Sequence, residues 1–214
     1  EDHSHLRGRT YKDYNIYMKA NPYMSVVQMD TVYNDVSHGP FLQTFEFTDF
    51  GFMFALIHEE KTSQSMVDGM NLLESIIGHD LFIRYVPVCL TDRGSEFSDA
   101  DGFENMTDGS RRTRLFYCDP MQSGQKGALE NSHKEIRYIC PKKTDLRALG
   151  LTDQDAVNLM ISHINSFSRE SLKGKSPIEM MRFLAPELYE KFEEFGIKEI
   201  EKDKVILKPY LLKK

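Results

Sequence analysis

The sequence contains no tryptophan, only three cysteines and no excess of positive charge. No apolar run approaches the ~20 residues of a membrane-spanning helix, so no membrane partner is expected. Cys89, Cys118 and Cys140 lie far apart and form no CxxC pair, which argues against a zinc cluster. An odd thiol count without an apolar leader fits reduced, buried cysteines in a cytoplasm. Repeats and low-complexity segments are absent, which excludes collagen-like and coiled-coil architectures. Lys and Arg number 27 against 33 Asp and Glu, a formal net charge of -6 over 214 residues. That balance limits non-specific attachment to nucleic acid. The chain opens on Glu1 rather than Met, as expected of a piece excised from a longer protein.

What is present is a globular composition, with 40% apolar and 28% charged residues. Residues 1–22 are polar and weakly periodic, and are expected to form a linker or N-terminal arm. Three strand-like runs follow, at 25–34, 40–48 and 51–58, the last two joined by an Asp49-Phe50-Gly51 turn. Residues 62–77 show a helical stripe of Met66, Met70, Leu73 and Ile77, with Thr62 as N-cap and Gly78 beyond the end. The run 81–90 is expected to be a buried strand, 98–109 an inserted acidic surface loop, and 114–118 a short strand. Helices are expected from about 127 to 140, from 152 to 167, and from Pro177 to about Phe195. Residues 197–212 resemble two short strands. Antiparallel strands followed by alternating elements predict an α/β fold with one mixed sheet flanked by helices.

Three acids stand in unusual places. Asp30 ends an apolar stretch within the first strand, Asp92 lies just past the carboxyl end of a buried strand, and Glu130 sits on a helix after a turn-rich loop. Desolvating a carboxylate is costly unless it is paired or binds a cation. Carboxylates converging from two strands and a helix suit hard divalent ions such as Mg²⁺ or Mn²⁺. Lys134 and Arg137 follow Glu130 at i+4 and i+7, which places them on its face of the helix. That stripe reads equally as a metal-and-phosphate surface or as an ordinary i,i+4 ion pair.

The segments VVQMDTV, LTDRGSEF and YCDPMQSGQKGALENSHKEIRYICPKKTDL resemble the catalytic cores of DDE transposases and retroviral-type integrases. The resemblance is to the bacterial insertion-sequence group that couples TDRGxEF to a DP…QRG…EN loop and helix. HINSFSRESLKGKSPIEMM is similar to that group's later helix, short basic turn and Ser-Pro helix start. The likeness runs from about Tyr23 to Leu184.

The resemblance implies a ribonuclease H-like fold with a five-stranded mixed sheet. It implies a core over 23–184 and a small extension over 185–214, comprising a helix end and a short strand pair. Asp30, Asp92 and Glu130 match the family's catalytic and metal-binding triad, which holds two Mg²⁺ or Mn²⁺ ions. Gln125, Lys126, Asn131, Lys134 and Arg137 match positions expected to contact DNA. The implied activity is 3′-end cleavage of element DNA and strand transfer into target DNA, by a dimer or larger assembly in the bacterial nucleoid. A metal-dependent nuclease without strand transfer, and an inactive DNA-binding or assembly module, stand as alternatives. Gly124 replaces the family's frequent large aromatic, and Leu129 a frequent Asn. Six Lys and Arg against three Asp and Glu between Lys126 and Arg147 give the expected site a local positive excess, with Arg111, Arg112 and Arg114 nearby in sequence.

Overall fold

The computed structural model describes residues 2–213. Five strands form one sheet in the order β3-β2-β1-β4-β5. They are β1 (Val26–Val32), β2 (Phe41–Phe47), β3 (Phe52–His58), β4 (Val88–Thr91) and β5 (Arg114–Tyr117). β1 pairs antiparallel with β2 and parallel with β4, and therefore lies at the centre of the sheet. β2–β3 is an antiparallel hairpin, and β4–β5 is parallel. The expected mixed sheet is thus present, and its order is that of a ribonuclease H-like fold.

The helices are α1 (Tyr11–Ala20), α2 (Ser63–Ile77), α3 (His79–Tyr85), α4 (Ala100–Glu104), α5 (Gly127–Ile139), α6 (Gln154–Ser166), α7 (Pro177–Leu184) and α8 (Pro186–Phe195). Helix α2 begins where Thr62 Oγ1 accepts from the Ser65 N–H, and its predicted stripe is buried. The main core fills the space between the sheet and α2, α5, α6, α7 and α8. Phe192 of α8 packs its ring against Phe47, Phe52 and Phe54 at centroid distances of 5.0–5.5 Å. The opposite face of β4 and β5 carries Val88, Leu90, Phe116 and Cys118. All three cysteines are buried free thiols, as expected.

Several expectations are corrected. Within residues 2–22, part of the expected linker or N-terminal arm, Thr10 and Asp13 form a capping box that starts α1. Tyr11, Tyr14, Tyr17 and Met18 of that helix cover the second face of β4 and β5. The run 81–90 divides into α3 and β4, because Phe82 and Tyr85 of α3 are buried while Ile83 and Arg84 face out. The segment 98–109 is more than a surface loop, since α4 buries Ala100, Phe103 and Glu104. Glu104 Oε2 accepts the Leu115 N–H, and the Arg9 carbonyl accepts the Tyr117 N–H. These two bonds satisfy donors on the sheet's outer strand, which would otherwise invite another chain. The helix expected over 177–195 breaks at Ala185, because Pro186 has no N–H to continue it. Residues 197–212 hold 3-10 turns at Lys202–Lys204 and Pro209–Leu212 and no strand pair.

Candidate active site

Side chains two apart on a strand share a face. Gln28 and Asp30 of β1 therefore point the same way, and the β1–β2 register puts Glu46 opposite Gln28 and Thr44 opposite Asp30. These four polar residues lie beneath α5 and each engages that helix or its first residues. Gln28 Oε1 accepts the Leu129 N–H at 3.0 Å, and Asp30 Oδ2 meets Lys126 Nζ at 2.9 Å. Thr44 Oγ1 lies 2.8 Å from His133 Nε2, and Ser132 Oγ donates to Glu46 Oε2 at 2.8 Å. Helix α5 has no side-chain N-cap. Gln28 replaces one by satisfying a first-turn N–H that would otherwise be orphaned.

Asp92 follows β4, the parallel neighbour of β1, and so reaches the same end of the sheet. The TDRGSEF segment fixes it there by distinct contacts. Thr91 Oγ1 donates to the Met29 carbonyl, tying β4 to β1 at 3.0 Å. The Gly94 N–H donates to Asp92 Oδ1 at 2.8 Å. A Cβ on Gly94 would come within 2.6 Å of Glu96 Oε2 and 3.0 Å of Asp92 Oδ1, so a larger residue there would push on both carboxylates. Arg93 Nε donates to the Cys118 carbonyl, stapling this turn to the start of the 119–127 loop. Phe97 is fully buried in the core.

The two aspartates meet on one cation. Lys126 Nζ is 2.9 Å from Asp30 Oδ2, 3.5 Å from Asp92 Oδ2 and 3.3 Å from the Met29 carbonyl, and the residue is only 3% exposed. Burial pushes the Asp30 carboxyl above the ordinary aspartate value, against the pull of Lys126. Burial alone would lower the Lys126 pKa, but the two carboxylates outweigh it and hold it above the usual lysine value. His133 is driven down to about 3 by burial and by the charges of Lys126 and Arg137, so its ring is neutral. Two aspartates with oxygen donors at one sheet end are a hard-cation donor set. Among the described residues no group of three His, Cys, Asp or Glu is close enough to hold an ion. Glu130 lies in the first turn of α5, half-buried, and would have to approach the aspartates to complete such a set.

No family model matches the chain. Over 90 residues, 42% of the chain, it is 32% identical to transposase InsI of insertion sequence element IS30A from Escherichia coli K12. Over 68 residues, 32% of the chain, it is 31% identical to the transposase of insertion sequence element IS1086 from Cupriavidus metallidurans. The matched segments span about a fifth of these curated relatives, 22% and 19% of their lengths. The fold matches the catalytic core domain of BIV integrase with a TM-score of 0.51 at 18% identity, covering 81% of this chain and 98% of that one. A simian T-cell lymphotropic virus intasome chain, in complex with PP2A regulatory subunit B56 gamma, gives 0.55 at 16% identity, covering 72% and 53%. Part of the sequence is thus similar to insertion-sequence transposases, and the fold is similar to that of an integrase catalytic core.

The residues expected to touch DNA occupy varied places on this core. Lys134 and Asn131 are exposed on α5 and bonded to each other at 3.0 Å. Gln125 is turned back on its own loop, accepting the Asp119 N–H and donating to Asp119 Oδ2. Lys126, also expected to contact DNA, is buried, held inward by two carboxylates and a carbonyl. Arg137 does not lie free on an exposed stripe. It donates to Asn34 Oδ1 at 2.6 Å and to the Tyr33 carbonyl, stapling the end of α5 to the end of β1. The Arg111–Arg114 cluster is at the start of β5, whereas Asp92 follows the far end of the neighbouring β4. Arg112 is buried there, donating to Asn71 and to the Phe103 carbonyl. Sequence reasoning missed Gln28, Thr44, Glu46 and His133. The first three alternate with apolar residues on strands that bury both faces, so polar period-2 positions were the available signal.

Proposed function

We propose that the chain is the catalytic core of a DNA transposase, cutting at the 3′ ends of its element and joining the freed 3′-OH to target DNA. The observation that carries this reading is the meeting of Asp30 and Asp92, from adjacent parallel strands, beside the N-terminus of the helix bearing Glu130. Asp30, Asp92 and Glu130 would hold Mg²⁺ or Mn²⁺ through their carboxylate oxygens, two ions per site. Such ions, when bound, activate the attacking oxygen and stabilise the leaving oxygen of a phosphodiester. Asp30 is set by the central strand and Asp92 by the Gly94 N–H, so both are held before substrate arrives. Glu130 lies in the first turn of α5, the end of a helix dipole that favours negative charge. Exposed Asn131, next to it in the chain, and Lys134, one turn beyond it, are placed to meet the DNA backbone. No side-chain nucleophile is needed, since water and then the 3′-OH attack in turn.

The relatives are transposases and the structural neighbours integrase cores, one of them within an intasome. The reading therefore includes DNA as partner, two or more copies assembled on it, and action in the bacterial nucleoid. No helix among the described residues is long and apolar enough to cross a membrane. The test is cleavage and joining of labelled element-end DNA with Mg²⁺ or Mn²⁺. Asp30→Asn, Asp92→Asn and Glu130→Gln should each lower the rate by at least about a hundredfold. Wild-type rates in all three refute the site. Cleavage without any joined product makes the chain a nuclease instead.

A further inference from the structure

Lys126 is buried, and its ammonium ends at the site rather than in solvent. Its ammonium has three donors, and three acceptors surround it: Asp30 Oδ2, Asp92 Oδ2 and the Met29 carbonyl. Two of those atoms belong to the residues assigned above to a divalent ion. One ammonium leaves a pair of carboxylates with a net charge of -1. A doubly charged ion on the same oxygens would stand within a few ångströms of the ammonium and repel it strongly in so buried a setting. Both cations cannot keep these ligands.

The chain around Lys126 has room to yield. Lys126 ends the 3-10 turn Ser123–Lys126 and immediately precedes Gly127 of α5. A Cβ built on Gly124 or Gly127 would meet nothing within 4 Å, and Met121, in the left-handed region at φ +59°, is fully exposed. Gln125 bonds within the loop, to Asp119 and to the Gln122 carbonyl. Withdrawing Lys126 therefore breaks contacts to the two aspartates and Met29, and few others.

We propose that Lys126 is the resident counter-ion of the aspartate pair, displaced by divalent metal and thereby delivered to the surface of the 119–127 loop, where a DNA phosphate becomes its new partner. The inference rests on the metal-site reading and goes beyond it, because it makes metal loading and phosphate binding mutually reinforcing through one side chain. Coupling of this kind is reciprocal: metal would tighten DNA, and DNA would tighten metal.

The test is calorimetric titration of Mn²⁺ into the full chain, with wild type, Lys126→Gln, Lys126→Met and Asp30→Asn compared. Removing the competing charge should tighten Mn²⁺ binding by about tenfold or more in both Lys126 variants. Short duplex DNA should strengthen Mn²⁺ binding to wild type but not to Lys126→Gln. Equal or weaker Mn²⁺ binding by folded Lys126 variants overturns the proposal. Should those variants fail to fold, ¹⁵N-lysine NMR of wild type decides. One exchange-protected ammonium should be seen before metal is added and be lost on saturation with Mg²⁺; its persistence overturns the proposal. Mn²⁺ binding that is abolished by Asp30→Asn but indifferent to Lys126 removes only the counter-ion. Binding indifferent to Asp30→Asn removes the metal-site reading itself, and the proposal with it.

Discussion

Glu46 should make the stability of this chain fall as pH rises through neutrality. It lies on β2 beneath α5, 2% exposed, with the Ser132 hydroxyl donating to it at 2.8 Å. Arg169 is close enough to attract it, but its strong contact is with Glu135, at 2.6 Å. Burial pushes the Glu46 carboxyl up from 4.5 to about 8, against the pull of Ser132 and Arg169 and with a further push from Glu135. Glu135 is itself raised to about 7 by burial, less what Arg169 restores. A carboxyl with a folded pKa above its unfolded value binds more protons in the native state. Its contribution is fully present below about pH 4.5 and is lost as pH rises through about 8. The interval from 4.5 to about 8, at ~1.4 kcal/mol per pH unit, sets a ceiling of roughly 5 kcal/mol for Glu46. Local relaxation towards solvent would reduce that to about 2–3 kcal/mol. Urea unfolding of wild type and Glu46→Gln, at about pH 5 and about pH 9, measures the difference. Glutamine keeps a partner for Ser132 and cannot ionise, so the variant should hold its stability better across that range. Its advantage at the alkaline end should be about 2–3 kcal/mol. Parallel pH profiles for the two proteins would refute the reasoning.

Three further substitutions probe the packing. Gly69→Ala puts a Cβ against Gln43 Oε1, and Gln43 is fully buried and bonded to the Met66 carbonyl and His58. It should cost about 1–3 kcal/mol, read as a lower melting temperature, and an unchanged melt would contradict the close α2–β2 approach. Phe192→Ala removes the ring shared by Phe47, Phe52 and Phe54 and should cost about 3–5 kcal/mol by urea midpoint. Tyr17→Ala loses the contact with Phe116 and the ring beneath Arg114. It should loosen α1 from the sheet, seen as faster amide exchange confined to 11–20 with little change in β1.

The elements that the sequence makes legible are those with local punctuation. Thr62, and Ser176 with Glu179, mark helix starts by side-chain bonds that involve only neighbours in the chain, and Pro177 marks one by its fixed φ at the first helical position. The alternating aromatics of β2 and the apolar run of β3 are likewise local. What escaped is non-local. Residues 79–85 form α3 rather than a strand because Phe82 and Tyr85 find the core while Ile83 faces out. The polar N-terminal segment becomes α1 because β4 and β5 offer an apolar face to Tyr14 and Tyr17. Asp30 stands out in sequence as an acid inside an apolar strand, and Asp92 as one just past a strand end. Their common hold on Lys126 joins three segments of the chain and has no signature in spacing. Pro186, by contrast, is a local stop signal inside an otherwise helical pattern, and it divides α7 from α8.

The polar underside of α5 explains how one helix can be both anchored and adjustable. Its later residues Ile136 and Ile139 are fully buried in the main core, and Arg137 staples that end to β1. Displacing them would cost the transfer free energy of large apolar side chains. Its first residues, which carry Glu130, have only Leu129 in that core. They are otherwise held by Gln28, by Lys126 on the aspartates, and by Ser132 and His133 on β2. A hydrogen bond contributes a net ~1 kcal/mol and can be exchanged for one to water or to substrate. The N-terminal turn can therefore shift Glu130 towards Asp30 by trading polar partners, while the apolar half keeps the helix on the sheet. A fully apolar underside would not permit that trade, which accounts for polar residues at Gln28, Thr44 and Glu46 on strands otherwise built for a core.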